Sequence, residues 1–251
     1  VTGTRTKKVS IGSDDSVHLM PLVWDRRTGI VPPDLNPQVT ITEGGESVAS
    51  MSPWPMLSQP MGFHFGDNVK LGGSGTFRVT VEVGEPSIRR AGSLADNRGR
   101  ESFDFEFAYE SGALEDVSYR DVPADEEGRR GTVDPMAMDM TPDGRLPAPD
   151  ALPGEPRGVA EAGETPLAVT TLPDATPFGG GESEVYLAVS PPTPHNEFPL
   201  PLAGLSATLD RGGETVFADD LSPALAPGLG HHYGAAVSGV RAGDDLTVSV
   251  D

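Results

Sequence analysis

An internal repeat is the sequence feature that most constrains the fold of this chain. Shifting the sequence by 168 residues places residues 40–46 on 208–214 and residues 62–66 on 230–234, without gaps. The second match places His64 on His232. A register shared over such a distance indicates duplication of one structural unit. We therefore expect two related domains, at residues 1–118 and 159–251.

Alternating apolar residues predict the type of both domains. The shifted register also superposes Val17 and Leu19 on Val185 and Leu187. After one inserted residue it superposes a further apolar set on its counterpart, namely Phe77, Val79 and Val81 on Leu246, Val248 and Val250. The run Phe103, Phe105, Phe107 alternates in the same way. Period-two runs bury one face of a strand, so we predict an all-β protein of two immunoglobulin-like antiparallel sandwiches.

The segment between the repeats has a different composition. Residues 119–158 are rich in Pro, Gly and acidic residues, with few apolar side chains to bury. Turn formers of this kind are typical of linkers. We predict an acidic linker that wraps a domain surface.

The charge balance predicts adaptation to high salt and argues against nucleic acid as a partner. The chain carries 38 acidic and 18 basic residues, a formal charge of −20, and the only lysines are Lys7, Lys8 and Lys70. In molar salt the Debye length falls to about 3 Å, which screens repulsion on an acidic surface. We expect a salt-adapted protein whose stability rises with salt. Nucleic-acid binding is not expected, since the sequence has no basic patch.

The cysteine count and hydropathy restrict the chemistry further. There is no Cys, which excludes disulfides, thiolate metal sites and thiol catalysis. No apolar run is long enough to cross a membrane as a helix. Since the sequence opens at Val1, we expect a processed extracytoplasmic protein, secreted or lipid-anchored, whose signal segment is missing from the sequence.

Histidine and methionine cluster in the first repeat. Met20 follows His18 by two residues, and Met51, Met56 and Met61 lead into His64. On a strand, His18 and Met20 would point to the same face. Imidazole with thioether suits Cu(I) and tolerates Cu(II) or Fe(II) with a hard ligand. Met as core filler is the alternative interpretation. The linker segment Met136, Met138, Met140 is a weaker candidate of the same type.

The region around His64 resembles a known family. Residues 55–71 contain Pro-Met, then His-Phe-Gly-Asp-Asn, and a Gly-Thr-Phe strand follows. This pattern is similar to the periplasmic iron-transport lipoproteins, which bind copper or iron on an immunoglobulin-like sandwich. The resemblance covers residues 15–85 and, more faintly, 183–251. Val17-His18-Leu19 is similar to their upstream His-Leu-Glu strand.

The resemblance implies that His18, Met56 and His64 are metal ligands. Met20 stands where the family has Glu, so we add Met20 as a ligand of a softer site. In the second repeat Tyr186 and Ala224 replace two of these positions and only His232 persists, with His231 beside it and His195 nearby. That site is either lost or rebuilt on histidine, and His232 is kept as a candidate ligand.

These observations favour a non-enzymatic metal-binding protein. The expected ion is copper or iron, and the expected role is extracytoplasmic iron or copper handling. The resemblance adds a membrane iron permease as a partner, and we allow a homodimer. The alternative function is a surface interaction module with a degenerate site. A hydrolase is disfavoured, because no Ser–His–Asp order or nucleophile elbow is present.

Overall fold

The computed structural model describes residues 12–96, 99–112, 121–127, 129, 132–136 and 139–250. The described residues are nearly all strand and loop, with three 3₁₀ turns. The all-β prediction is therefore confirmed. Within the described residues, no helix has the length and apolarity needed to span a membrane.

The first half of the chain forms two facing sheets. A three-stranded sheet has the order β1-β5-β4, and a four-stranded sheet has the order β3-β2-β6-β8. The strands are β1 Val17–Leu19, β2 Gln38–Glu43, β3 Glu46–Met51, β4 Trp54–Ser58, β5 Gly62–Val69, β6 Gly75–Val83, β7 Arg89–Arg90 and β8 Glu101–Tyr109. The core between the sheets includes the fully buried side chains of Val39, Ile41, Phe77 and Val79. The expected alternation of β6 is confirmed, since its apolar side chains are buried at every second position.

The second half forms a six-stranded sheet, β7-β14-β15-β11-β10-β9, and a three-stranded sheet, β13-β12-β16. Its strands are β9 Glu155–Ala162, β10 Thr165–Leu172, β11 Val185–Ser190, β12 Leu205–Arg211, β13 Glu214–Asp220, β14 Ser222–Ala226, β15 Gly230–Val237 and β16 Asp245–Val250. Its main core contains Leu187, Val189, Leu205 and Tyr233. We refer to the two halves below as domain one and domain two.

The two domains share strand pairing as well as sequence. Sheet order β1-β5-β4 corresponds to β11-β15-β14, and β3-β2-β6 corresponds to β13-β12-β16. Val17 pairs with Val69, and the residues 168 positions later, Val185 and Val237, pair in the same way. A register shift between Ile41 and Thr42 also recurs 168 positions later, between Leu209 and Asp210. Residues of β1, β2, β4 and β5 therefore have counterparts at equivalent places in β11, β12, β14 and β15.

The predicted match of the last strands is wrong by two residues. Ile41 pairs with Val79, whereas its counterpart Leu209 pairs with Leu246. Leu246 therefore corresponds to Val79 and not to Phe77. The reason is that a displacement of two residues leaves every side chain on its original face, so alternation alone does not define the register.

Two further expectations need correction. Phe103 and Phe105 of β8 are 50% and 46% exposed, because β8 is the edge strand of four and faces a sheet of only three. Strand β9 begins at Glu155, so the predicted linker end at residue 158 lies inside a strand. Its Pro and Gly look like turn formers in the sequence, but an exposed edge strand with a register shift tolerates both.

A short strand of domain one joins the sheet of domain two. Strand β7 pairs in parallel with β14, with Arg89 opposite Ala224 and Arg90 opposite Leu225. Asp34 anchors β7, because its carboxylate lies 3.0 Å from the guanidinium of Arg90 and accepts the backbone N–H of Ile88. Both side chains of the ion pair are nearly fully buried. Domain one therefore supplies the edge of the sheet that carries His232.

Candidate metal centre

Strand pairing brings three of the predicted ligands to one face of domain one. His64 lies on the central strand β5, with Gly66 and Asn68 on the same face, because side chains alternate along a strand. His18 of β1 is the cross-strand partner of Asn68. Met56 of β4 is the partner of His64. Directly opposed residues share a face of the sheet, so His18, Met56 and His64 lie on one surface.

The space above Gly66 is where two of these side chains meet. A Cβ atom placed on Gly66 would lie 2.9 Å from Nε2 of His18 and 2.9 Å from Sδ of Met56. Both donor atoms therefore point at the same small volume. A side chain at position 66 would collide with both atoms, and glycine leaves room for them.

His64 lies at the base of this arrangement. Its side chain is 3% exposed, and its Nδ1 lies 3.1 Å from the carbonyl oxygen of Gly62. Burial lowers the pKa of His64, the hydrogen bond to the Gly62 carbonyl offsets part of this effect, and the electrostatic effect of His18 lowers the pKa further. His64 is therefore held as a neutral imidazole, which is the form that binds a metal ion.

His18 is held by a hydrogen bond across the strands. Its Nδ1 lies 2.7 Å from Oδ1 of Asn68. Among the described residues, no hydrogen bond reaches Nε2 of either His18 or His64. The two rings thus use Nδ1 for the protein, and Nε2 remains for a ligand.

Met20 lies outside this group. Strand β1 ends at Leu19, so the alternation that would place Met20 beside His18 does not extend to it. Met20 is 42% exposed and lines a cavity of about 630 Å³ together with Trp24, Phe103 and Phe105. The donor atoms that meet above Gly66 are those of His18 and Met56, and His64 lies on the same face.

These residues fit a soft metal ion. Two imidazoles and one thioether form a neutral donor set, which Cu(I) prefers over harder ions. In the part of the chain that the structure describes, no three His, Cys, Asp or Glu side chains are grouped closely enough to hold a metal ion. The donor set above Gly66 depends on Met56 for its third member.

Domain two places other side chains at the equivalent positions. Tyr186 of β11, Ala224 of β14 and Ala236 of β15 stand where domain one has His18, Met56 and Asn68. Nδ1 of His232 lies 3.1 Å from the carbonyl oxygen of Gly230, as in the His64–Gly62 pair. Its Nε2, however, lies 3.2 Å from the hydroxyl of Tyr186. The atom that would bind a metal ion is therefore occupied by a hydrogen bond.

Aromatic packing fixes Tyr186 in this position. Phe178 stacks on Tyr186 with ring centroids 3.7 Å apart, and its edge meets His232. A Cβ atom on Gly234, the counterpart of Gly66, would collide with the ring and hydroxyl of Tyr186. The tyrosine thus lies over Gly234, whereas in domain one the ends of His18 and Met56 lie over Gly66. Complete burial lowers the pKa of His232 to about 4.

The remaining predicted residues lie elsewhere. His231 points to the opposite face of β15 and packs edge-on against Tyr233 at 5.1 Å. Burial, followed by the effect of His232, lowers the pKa of His231 to about 3. His195 is exposed in the loop between β11 and β12. Met136 and Met140 are 53% and 88% exposed, and Met138 is outside the described residues.

Sequence reasoning missed three residues of these faces. Gly66 leaves room for the ends of His18 and Met56, and Asn68 forms a hydrogen bond with His18. In domain two, Tyr186 covers Gly234 and forms a hydrogen bond with His232. The repeat contained a signal for two of them, because the change from His18 to Tyr186 accompanies the change from Asn68 to Ala236.

Two family models match different parts of the chain. Residues 26–110 match the family described as Fe2+ transport protein. Residues 150–251 match a domain of unknown function, DUF7350. A search of curated protein sequences finds no match.

One solved structure that matches is a copper-bound variant of FetP from uropathogenic Escherichia coli strain F11, in which glutamine replaces a glutamate. The match has 21% identity and a TM-score of 0.31, and it covers 45% of this chain and 75% of FetP. The resemblance noted in the sequence is confirmed by the family match over domain one. The similarity shown for this chain is thus to the Fe2+ transport protein family, over residues 26–110.

Proposed function

We propose that domain one binds a single copper or iron ion through Nε2 of His18, Nε2 of His64 and Sδ of Met56. The observation that carries this proposal is the approach of Nε2 of His18 and Sδ of Met56 to the same point above Gly66. Support comes from the pairing of Met56 with His64, which means that His64 lies on the same face as Met56. The imidazole of His64 is buried, and burial favours its neutral form. The bound ion is the protein's cargo.

The donor set favours Cu(I) over Fe(II) and Mn(II). All three donors are neutral, and a thioether is a poor ligand for hard ions. Met20 would not add a fourth ligand, because it lines a different cavity. The protein's own contribution is to hold the donors in place: the side-chain amide of Asn68 orients His18, the backbone carbonyl of Gly62 orients His64, and the sheet positions the thioether.

Domain two has a structural role in this proposal. Tyr186 occupies the ligand volume and bonds Nε2 of His232, which argues against the predicted ligand role of His232. Domain two pairs with β7 and so holds one end of domain one.

The family of residues 26–110 makes this a metal-related, transport-associated protein. We further propose that it acts outside the cytoplasm, in iron or copper uptake, with delivery to or from a membrane permease. A homodimer is compatible with this role. The reaction class is binding and release, without catalysis.

Competition titration of Cu(I) against a chromogenic chelator tests the proposal. We expect the wild type to bind one equivalent, and His64→Ala to lose this binding. His232→Ala is the matched control, because it removes the histidine at the equivalent position 168 residues later, and we expect it to bind like the wild type. Equal affinity of the wild type and His64→Ala would refute the proposal, as would equal losses in both variants.

The alternative function, an interaction module, is favoured by a separate observation. Trp24, Phe103 and Phe105 are 37%, 50% and 46% exposed around one open cavity. Large exposed apolar patches commonly mark binding surfaces. If the titration detects no metal binding, this surface becomes the better candidate for the function of domain one.

A further inference from the structure

Asn68 is the side chain that contacts His18 on the face of the metal centre. The two residues are cross-strand partners of β1 and β5. Oδ1 of Asn68 lies 2.7 Å from Nδ1 of His18, a short distance for a neutral hydrogen bond. The two residues are 50 positions apart in sequence, so this contact exists only through the strand pairing.

The chemistry of this contact defines the tautomer of His18. An amide oxygen only accepts hydrogen bonds, so Nδ1 must carry the proton and donate it. Nε2 then carries the lone pair and faces the volume above Gly66. A free neutral imidazole places its proton mostly on Nε2, which would block this atom as a ligand. Asn68 therefore reverses the intrinsic preference of the ring.

His64 achieves the same result through the backbone. Its Nδ1 lies 3.1 Å from the carbonyl oxygen of Gly62, which is also an acceptor only. Domain two retains this arrangement at His232 and Gly230. It lacks the other one, because Ala236 replaces Asn68 where Tyr186 replaces His18. The amide is thus present only in the domain where a histidine needs it.

We infer that Asn68 is a positioning residue of the metal centre, which holds His18 as the tautomer with Nε2 free for the ion. This inference rests on the proposed function for its consequence in metal binding. Partners of this kind orient a ligating histidine and typically change metal affinity by about 10–100-fold when they are removed.

The test compares Asn68→Leu, which has similar volume and no acceptor, with Asn68→Asp, which keeps an acceptor oxygen. Ring-nitrogen NMR on the metal-free protein reports the tautomer of each histidine. We expect His18 to be protonated at Nδ1 in the wild type and in Asn68→Asp, and to shift towards protonation at Nε2 in Asn68→Leu. His232 is the internal control, and its tautomer should be the same in all three proteins.

Cu(I) competition titration of the same proteins gives the second readout. We expect Asn68→Leu to bind about 10–100-fold more weakly, and Asn68→Asp to stay within a few-fold of the wild type. An unchanged His18 tautomer in Asn68→Leu would overturn the inference. So would a Cu(I) affinity of Asn68→Leu equal to that of the wild type, provided that the wild type binds Cu(I). A wild type that binds no Cu(I) would instead count against the proposed function, and the NMR measurement would still decide the role of Asn68.

Discussion

The equivalent faces of β5 and β15 share a backbone and differ in what lies above it. Both strands hold a histidine by the same bond from Nδ1 to a carbonyl oxygen two residues earlier, at 3.1 Å in each case. In domain one the facing residue is His18, whose Nε2 lies with Sδ of Met56 above Gly66. In domain two the facing residue is Tyr186, whose hydroxyl bonds the histidine. One central histidine can therefore belong to a ligand set or to a core, depending on its cross-strand neighbours.

The largest expected effect is the creation of a second site. Tyr186→His, Ala224→Met and Ala236→Asn together give domain two the residues of domain one at equivalent positions. We expect the triple variant to bind two equivalents of Cu(I) in place of one. The new site should be the weaker one, because Arg89 lies opposite position 224 and its charge opposes a cation.

The control for this experiment is the same triple variant with His232→Ala, which should return to one equivalent. If the triple variant folds and still binds one equivalent, the difference between the two faces depends on more than these three positions.

The second-largest effect is expected on Cu(I) affinity, when a side chain is added at Gly66 beneath the donor atoms of domain one. Gly66→Ala places a Cβ 2.9 Å from both Nε2 of His18 and Sδ of Met56. We expect Cu(I) affinity to fall by at least about 100-fold, since a direct obstruction should exceed the loss of a supporting residue. The unfolding free energy should change little, because these atoms are ends of side chains that can move.

Gly234→Ala is the counterpart in domain two, where the new Cβ meets the Leu187 carbonyl and the Tyr186 ring. Overpacking of this kind costs about 1–3 kcal/mol, so this variant should lower the melting temperature and leave Cu(I) binding intact. Thermal melts and Cu(I) titrations of Gly66→Ala and Gly234→Ala test this comparison. It would be wrong if Gly66→Ala lowered the melting temperature and Gly234→Ala lowered the Cu(I) affinity.

The third effect is a pH dependence of stability that arises in domain two. The pKa values of His231 and His232 are lowered to about 3 and about 4, by burial first in each case. Below pH 6.5 the unfolded chain binds protons that the folded chain does not. Each histidine should therefore lower the unfolding free energy by up to about 1.4 kcal/mol per pH unit, from pH 6.5 down to its folded pKa.

His231→Phe introduces the residue that domain one has at the equivalent position, Phe63. Denaturant unfolding between pH 7 and 4.5 should show a shallower loss of stability in this variant. The exposed His195→Gln is the control and should follow the wild type. A His231→Phe slope equal to that of the wild type would mean that His231 is already protonated in the folded state.

The smallest effect concerns the hydrogen bond that replaces a metal ligand. Tyr186→Phe keeps the stacking on Phe178 and removes the hydroxyl, which leaves Nε2 of the buried His232 without its partner. An unsatisfied buried group costs about 1–3 kcal/mol, and we expect the lower part of this range because a small cavity can admit water. Chemical denaturation measures this loss, with Tyr109→Phe as the control. A gain in stability would show that the hydroxyl is not bonded as the structure has it.

Much of the frame could be read from the sequence. Alternation in Gly75–Val83 predicted both the strand and its buried face. The repeat predicted that His64 and His232 occupy equivalent positions, and the family resemblance implied His18, Met56 and His64 as ligands. Alternation failed for Phe103 and Phe105, since a periodic pattern does not show whether a strand lies at an edge. Apart from the linker end at residue 158, the predicted domain bounds stay predictions, as do the salt dependence and the metal-ligand roles.

The sequence by itself determined which residues alternate, which histidines correspond and which chemical donors are available, because these are local properties of the chain. Only the tertiary structure decided which donors meet. Met20 follows His18 by two residues but lies beyond the end of β1, whereas Asn68 is 50 residues away and bonds His18 directly. Pairing between distant strands decides which side chain neighbours each buried histidine: His18 in the case of His64, and the hydroxyl of Tyr186 in the case of His232. The physical reason is that a ligand site is defined by distances of a few ångströms between residues far apart in sequence.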